Sequence, residues 1–235
     1  MGDKAPHQIA RMFNAIASRY DLLNHLLSAG LDRVWRVRAV NALALTGTET
    51  MLDLCTGTGD LAFAAVARRG GARHVVGIDF ASEMLLHGQV KIRERALAER
   101  IRLVLGDVTK LPLPDESVDA VAMAFGIRNV QEPEKALSEA HRVLRFGGRV
   151  AILEFSKPYP RVLREMYLWY LRSVLPRIGR FVSGHASAYT YLPSSVDTFI
   201  APDTFCDLLR TCGLSEVRAV PLSFGIVYLY GGLKS

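Results

Sequence analysis

A glycine-rich segment, LDLCTGTGD at residues 52–60, has the residue types of a ligand-binding turn. Gly57 and Gly59 carry no side chain, which lets the backbone approach a ligand closely, and Thr58 between them offers both an N–H and a hydroxyl. An ordinary tight turn is the alternative. We predict that these three residues contact a cofactor.

Asp79, in the string GIDF, is predicted to bind a ribose. It follows Gly59 at roughly the 20-residue spacing typical of nucleoside-binding folds, and a carboxylate can accept hydrogen bonds from two hydroxyls. The pattern indicates a nucleoside cofactor but leaves its identity open, because GTGDLA at residues 57–62 also fits the G-x-G-x-x-A fingerprint of dinucleotide-binding proteins.

Two further carboxylates bear on the identity of the cofactor. Asp53 directly precedes the glycine turn, where it would attract the cationic end of S-adenosylmethionine and repel the pyrophosphate of NAD. Asp107 follows the third strand candidate, and its carboxylate and the next backbone N–H could form hydrogen bonds with the edge of an adenine. A turn or helix cap is the alternative for Asp107. Charge favours S-adenosylmethionine, and an NAD-dependent oxidoreductase is the main alternative of another class.

Seven strand candidates alternate with helices along the chain. The first strand candidate ends at 52–54. The others are 74–78, 101–105, 118–123, 149–153, 215–220 and 225–231. Strands that alternate with helices form a parallel sheet covered on both faces, and the last two, separated by 221–224, could pair antiparallel at its edge. We therefore predict an α/β fold: a doubly wound, seven-stranded, mostly parallel sheet.

The helix candidates complete a single domain with three parts. They cover residues 7–28, 61–69, 82–97, 132–144 and 202–212, with the fourth stopped by Phe146-Gly147-Gly148. The first is amphipathic, with apolar residues from Ile9 to Tyr20 at spacings of three and four, and precedes the sheet. We predict a helical part at 1–45, a cofactor-binding core at 46–155 and a less regular C-terminal part at 156–235.

Composition excludes several classes of protein. No secretion signal and no membrane-spanning run are expected, and three cysteines without C-x-x-C spacing favour reduced thiols in the cytoplasm. The histidines show no metal-ligand spacing, so no metal is expected. The formal charge of +6 lacks the dense basic stripe of nucleic-acid binders, which argues against a nucleic-acid partner. The oligomeric state stays open, with a homodimer as one option.

The motif series resembles that of class I methyltransferases and, more narrowly, the ubiquinone/menaquinone biosynthesis C-methyltransferase family. The similarity covers nearly the whole chain, with Cys55 where many members carry glycine. The strings that carry it are LDLCTGTGD, GIDF, GDVTKLP, FGIRN at residues 125–129, LEFSKP at 153–158 and AYTYLPSSVDTF at 188–199. FGIRN and LEFSKP are far more specific than the glycine turn.

The resemblance implies the cofactor contacts. The matching positions Thr58, Asp79, Asp107 and Val108 bind S-adenosylmethionine in the family, and Phe80, beside Asp79, is expected to join them. Ala124 stands where members often carry serine, so only its backbone could contact the cofactor. The resemblance further implies that 1–45 forms an N-terminal helical cap over the methionine end and that 156–235 is the acceptor-binding region. Tyr20 would lie on this cap, or else pack as a core aromatic.

The resemblance also implies an acceptor, the ring of an isoprenoid quinol, either demethylmenaquinol or a polyprenyl-benzoquinol. Arg128 would stabilise the ring phenolate or order a water, with Asn129 and Tyr191 positioning the ring; an ion pair for Arg128 and simple packing for Tyr191 are the alternatives. Another lipid is the nearest alternative substrate. His185 and Tyr230 depart from the family pattern, in which members often carry Asp and His at these positions.

A quinol with a prenyl tail resides in the membrane, so the enzyme must meet a bilayer. Residues 161–182 combine four aromatic residues with five arginines and one acid, a composition suited to the inner face of a membrane. A lid helix packed on the core is the alternative for this segment.

Overall fold

The computed structural model describes residues 6–158, 160–170, 173 and 194–235, apart from the side chains of Pro6 and Arg161. One sheet runs through this part of the chain. Its strands are β1 (Thr50–Leu54), β2 (His74–Asp79), β3 (Ile101–Leu105), β4 (Val118–Ala124), β5 (Leu144–Phe155), β6 (Ser215–Leu222) and β7 (Val227–Leu233). The helices are α1 (Pro6–Leu27), α2 (Leu31–Ala42), α3 (Asp60–Ala67), α4 (Ser82–Glu94), α5 (Pro133–Val143), α6 (Arg161–Trp169) and α7 (Pro202–Thr211), with 3-10 turns at Ile127–Asn129 and Ser223–Gly225.

The sheet confirms the predicted fold class. Its strand order is β3-β2-β1-β4-β5-β7-β6; the first five strands are parallel, and β7 pairs antiparallel with both β5 and β6. The chain adds strands on one side of β1 and then turns back to place β4 on the other side. Strand order therefore reverses between β1 and β4, and the crevice at their carboxyl ends is where ligands bind in such sheets.

Alternating side chains supply two separate cores, one on each face. On β1, Met51 packs with α2 and α3, whereas Leu52 and Leu54 pack with α5 and α7 on the opposite face. Because both faces are covered, the central strands are mostly apolar. A polar side chain within them needs a specific partner.

The boundary between α5 and β5 differs from the prediction. Phe146-Gly147-Gly148 does not stop the helix, which already ends at Val143; these residues belong to β5. Leu144 pairs with Val118 before the register shifts, and Gly147 takes a left-handed φ of 76° in this irregular stretch. A bulge requires glycine just as a helix end does, so the residue type alone did not distinguish the two.

The turn between the last two strands also lies later than predicted. Pro221 belongs to β6, and the turn occupies Ser223–Gly225. Proline has no N–H to donate to a neighbouring strand. Because β6 is the edge strand of the sheet, Pro221 is tolerated there.

The cap consists of α1 and α2. Ala17 of α1 packs on Ala81 and Met84 at the start of α4, and Tyr170, directly after α6, donates a hydrogen bond from its hydroxyl to the Leu27 carbonyl. Within the described residues, no helix has both the length and the apolar character that crossing a membrane requires. The contacts of α1 place it at the carboxyl ends of β1 and β2, whereas α2 packs on the Met51 face of the sheet.

Candidate active site

A cleft with a cavity volume of about 160 Å³ opens where strand order reverses, and the space reaches about 900 Å³ when its open mouth is included. Its walls come from α1, the turns after β1, β2 and β3, and the loop after β4. The lining residues include Phe13, Tyr20, Cys55, Gly57, Asp79, Phe80, Met84, Asp107, Val108, Thr109, Ala124, Phe125, Gly126 and Asn129. Eight of the residues predicted from the sequence thus meet around one space: Tyr20, Gly57, Asp79, Phe80, Asp107, Val108, Ala124 and Asn129.

The glycine turn divides its residues between the cleft and the helix behind it. Gly57 lines the cleft with a φ of 57°, and a Cβ there would lie 3.3 Å from the Met84 Cε. Gly59, with a φ of 87°, is the N-cap of α3 and is absent from the cleft lining. Only the first glycine provides close approach to a ligand, whereas the second allows the chain to enter α3.

Asp79 closes the floor of the cleft. One carboxylate oxygen accepts the Gly57 N–H at 2.8 Å and the other accepts the Ala81 N–H at 2.9 Å. Burial raises the pKa of this carboxyl, while the backbone bonds oppose that shift. A carboxylate has about four lone-pair positions, so two bonds leave capacity for the two hydroxyls of a ribose.

Asp53 lies behind the turn and does not line the cleft. Its side chain is on the Met51 face of β1, is 1% exposed, and accepts a hydrogen bond from the Thr56 hydroxyl at 2.6 Å. Burial raises its pKa to about 7. Any influence on a cofactor must therefore act through Thr56 or through the electric field of the ionised carboxylate.

Asp107 reaches the cleft and also caps its own turn. One carboxylate oxygen accepts both the N–H and the hydroxyl of Thr109, each at 2.8 Å. Val108, which is buried, lines the cleft beside it. The turn cap and a ligand contact are compatible, because a carboxylate has a second oxygen.

Thr58 is directed to the cap instead of the cleft. Its hydroxyl donates to Asp21 of α1 at 2.5 Å and accepts from the Lys91 ammonium at 3.1 Å. Lys91 also donates to Asp21 and to Asp60, both at 2.7 Å. We call Asp21, Thr58, Asp60 and Lys91 the cap network, because it joins α1 to the glycine turn, α3 and α4.

Tyr20 faces the cleft from the inner side of α1 and is half-buried. Burial raises its pKa, so the hydroxyl stays protonated at neutral pH. It makes an edge contact with the ring of Phe13, 6.0 Å between ring centroids. Both sequence interpretations of Tyr20 are therefore compatible with its place, since it packs within the cap and borders the cleft.

Arg128 follows β4 and is held mainly by the neighbouring strand. Its Nη1 donates to Glu154 at 2.7 Å and to the Phe125 carbonyl at 2.6 Å, and its Nε donates to the Ser195 hydroxyl at 3.3 Å. Glu154 is 0% exposed. The ion pair considered as the alternative for Arg128 is present, and Arg128 is absent from the cleft lining, unlike Asn129.

Three sequence predictions concern residues that fall wholly or partly outside the described part of the chain. Tyr191, His185 and half of 161–182, namely 171, 172 and 174–182, lie outside the described residues. Tyr230 is fully buried between β5 and β6, with its ring 4.6 Å from that of Phe205 in α7. Because Tyr230 belongs to the core on that face, its departure from the family pattern does not alter the cleft.

Two residues that matter to the site were missed by the sequence analysis. Glu154 was quoted only within LEFSKP, although a carboxylate inside the apolar run AILEF was a signal that a buried partner exists. Lys91 gave no signal, because a lysine on an amphipathic helix is normally solvated. Its partners Asp21 and Asp60 are 70 and 31 positions away in the chain.

His25, Asp32 and Asp60 form one cluster of potential metal ligands, with ligand atoms within 4.8 Å of one another. Arg36 pairs with Asp32 and lies 3.9 Å from Asp60, and Lys91 pairs with Asp60. Two side-chain cations thus already neutralise the two carboxylates, and we assign no metal to this cluster.

The seven-stranded sheet with its cleft at the reversal of strand order defines the fold of a class I methyltransferase. A SAM-dependent methyltransferase from Thermotoga maritima has this fold, with a TM-score of 0.65 and 19% identity, covering 96% of this chain and 99% of that structure. At that identity the likeness establishes the architecture alone, because one fold hosts many reactions.

The sequence identifies the family. The chain matches the ubiE/COQ5 methyltransferase family over residues 1–234 and belongs to it. The ubiquinone/menaquinone biosynthesis C-methyltransferase UbiE of Geobacter sp. is 44% identical, covering 97% of this chain and 96% of the relative. The demethylmenaquinone methyltransferase of Porphyromonas gingivalis is 40% identical, covering 97% and 93%. The resemblance inferred from the motifs is confirmed.

Proposed function

We propose that this protein transfers a methyl group from S-adenosylmethionine to a ring carbon of an isoprenoid quinol. The observation that carries the proposal is the convergence of Gly57, Asp79 and Asp107 on one cleft in a chain of the ubiE/COQ5 family. The names of the relatives supply the substrate class, which is either demethylmenaquinol or a polyprenyl-benzoquinol.

The cleft residues fit S-adenosylmethionine. Asp79 retains lone pairs for ribose hydroxyls, and the bare Cα of Gly57 leaves room beside Met84. Asp53 places a buried carboxylate behind the turn, where a positively charged ligand would favour its ionised form. Such charge complementarity favours a sulfonium and an ammonium over the pyrophosphate of a redox nucleotide.

The protein's contribution to the reaction is orientation and control of charge. When bound, S-adenosylmethionine supplies an electrophilic methyl group. The chain must hold the ring carbon at roughly 3 to 3.5 Å from that methyl and stabilise the ring oxygen as a phenolate. Asn129, which lines the cleft, is our candidate for positioning the ring, together with Tyr191.

Arg128 is our candidate for charge control near the ring. Its guanidinium stays protonated and is a poor direct base, so it would act by stabilising the phenolate or ordering a water that accepts the ring proton. Its bonds to Glu154 and to the Phe125 carbonyl hold it in a defined orientation. Single-turnover rates of Arg128→Ala and Arg128→Lys test this role, and a wild-type rate in Arg128→Ala would remove it.

Labelled S-adenosylmethionine with each reduced quinone in detergent tests the function itself. We expect label in a quinol product, and its presence in only one product identifies the substrate. Absence of label from both quinols would reject the proposal.

Cofactor binding provides a separate test through Asp79. Asp79→Ala should weaken binding by about 1.5 to 3 kcal/mol, on the order of 10- to 150-fold in Kd, because the ribose hydroxyls lose a charged acceptor. Calorimetry with S-adenosylhomocysteine measures the change. Asp203→Ala, an acidic residue in the first turn of α7, is the control. An unchanged Kd for Asp79→Ala would place the ribose elsewhere.

We also propose that the segment 161–182 contacts the inner face of a membrane. In its described part, Val162, Met166 and Trp169 lie on one side of α6 at helical spacing and are 71%, 63% and 63% exposed. Such an exposed apolar side suits the surface of a bilayer, whereas Arg164, two positions after Val162, lies on the opposite side of the helix.

Trp169 permits a direct test of membrane contact. The other tryptophan, Trp35, is buried and bonded to Ser223, so a fluorescence change on adding anionic vesicles would report on Trp169. We expect Trp169→Ala to weaken flotation with such vesicles, and Phe146→Ala, at the opposite end of β5, to leave it unchanged. Protein that stays in the soluble fraction at low salt would exclude the membrane contact.

The oligomeric state is a separate question, and sedimentation would distinguish a monomer from a homodimer.

A further inference from the structure

A second cavity of about 310 Å³ lies beyond the carboxyl end of β5. It is lined by residues 155–158, by Arg164 of α6, and by residues 196 and 199–202 before α7. This volume is at the lower end of the range for small-molecule sites. Its lining is distinct from that of the cofactor cleft.

The two cavities share a wall. Phe125 lines the cleft and Phe155 lines the second cavity, and their rings are stacked with centroids 4.5 Å apart. The Arg128 guanidinium lies 5.3 Å from the centre of the Phe155 ring and bonds to Ser195, the neighbour of the lining residue Val196. We call Phe125, Phe155 and Arg128 the partition.

The lining of the second cavity suits an aliphatic ligand. Seven of its ten described lining residues have apolar side chains. Lys157 donates to the Asp197 carbonyl at 2.9 Å and lies 3.3 Å from its carboxylate, so this cation already has an anionic partner. A polar or anionic ligand would need several converging polar groups, whereas an apolar chain needs only burial.

We propose that this cavity binds the isoprenoid chain of the quinol where the chain leaves the ring, with the partition as the boundary between ring and chain. The inference rests on the proposed function, which requires a substrate with an apolar tail next to a ring in the cleft. Arg164, which lines the cavity, belongs to α6, the helix proposed to contact the membrane. A chain that reaches the cleft from a bilayer would therefore pass this cavity.

Two substitutions change the cavity without touching the cofactor cleft. Ile200→Trp adds bulk at a lining position that is 38% exposed and can accommodate it, and Val196→Ala removes contacts from a buried lining position. Val220→Trp, on the exposed side of β6, is the matched control. The measured quantity is the KM for a prenylated quinol divided by the KM for the same quinol without its tail.

We expect Ile200→Trp to raise this ratio about tenfold, as when roughly two methylene groups leave an apolar pocket, and Val196→Ala to raise it about fourfold. Val220→Trp should keep the wild-type ratio. Calorimetry with geraniol, a short isoprenoid alcohol, should show binding to the wild type that Ile200→Trp weakens. This readout requires no turnover.

The outcomes separate this inference from the proposed function. If the wild type methylates both quinols but neither cavity variant changes the ratio, the chain does not bind here and the inference is wrong. Absence of geraniol binding to the wild type would contradict it equally. If no quinol is methylated by the wild type, the proposed function fails, and the inference that depends on it fails with it.

Discussion

Two ion-pair clusters flank the cofactor cleft, and they differ in their exposure to water. In the cap network, the side chains of Lys91, Asp60 and Asp21 are 16%, 19% and 29% exposed. In the pair of Arg128 with Glu154, on the other side of the cleft, they are 8% and 0% exposed. The first cluster joins the cap to the core, and the second joins β5 to the loop after β4.

The two clusters differ in burial, so separating their charges should cost different amounts of free energy. Partly hydrated charges regain water when they separate, so a cap held by them can open at small cost. Glu154 has no such compensation, and it also accepts the backbone N–H groups of Arg128 and Phe155. We therefore expect the side of the cleft near Glu154 to be the more rigid, and the cap side to open more readily.

The largest expected effect comes from breaking the buried pair. Glu154→Ala should lower the free energy of unfolding by about 3 to 5 kcal/mol, because Arg128 keeps a buried charge without its anionic partner. Chemical denaturation measures this change. Arg145→Ala, on the same strand as Glu154, breaks a more exposed pair with Asp119 of β4 and should cost less than about 1 kcal/mol. Equal losses in the two variants would contradict the role of burial.

Asp53, a buried carboxylate with no salt bridge to the described residues, sharpens the comparison. Asp53 titrates near pH 3.8 when unfolded and near 7 when folded, so the native state binds the extra proton between these values. Its contribution to stability is full below pH 4 and is lost as the pH rises to about 7, by an amount on the order of 2 to 4 kcal/mol.

Asp53→Asn should remove this part of the pH dependence. The measurement is the free energy of unfolding of both proteins from pH 4 to pH 8, and the difference between the two curves isolates the carboxyl. Addition of S-adenosylmethionine should flatten the wild-type curve, because a nearby cation favours the ionised form. Parallel curves without ligand would show that Asp53 titrates normally.

The smallest effect is expected in the cap network. Lys91→Met keeps the apolar stem of the side chain beside Phe63 but removes the charge shared by Asp21 and Asp60. We expect a loss of about 1 kcal/mol at low salt that shrinks at high salt. A loss as large as that of Glu154→Ala, independent of salt, would show that the cap is as rigid as the acceptor side.

The cofactor side of the cleft was predictable because its signals are local. The glycine turn, Asp79 and Asp107 each follow a strand, and the periodicity of the chain identified those strands to within a few residues. Sequence could not show that the Thr58 hydroxyl turns towards Asp21, or that Asp53 lies behind the turn. Those orientations depend on where α1 and α3 pack.

The acceptor side was less predictable because its contacts join distant parts of the chain. Arg128 meets Glu154 and Ser195 across 26 and 67 positions, so spacing along the chain carries no trace of either bond. FGIRN and LEFSKP were noticed as family strings, yet nothing in them predicted that they bind each other.

Residue order along this chain was enough to specify strands, helices and a nucleoside-binding turn, because each of these depends on neighbours within a few positions. Packing of the sheet and cap assigned each charged side chain to water, to a partner or to the cleft. The physical reason is that desolvation and pairing of charges depend on distances in space, and the fold alone sets these for residues far apart in sequence.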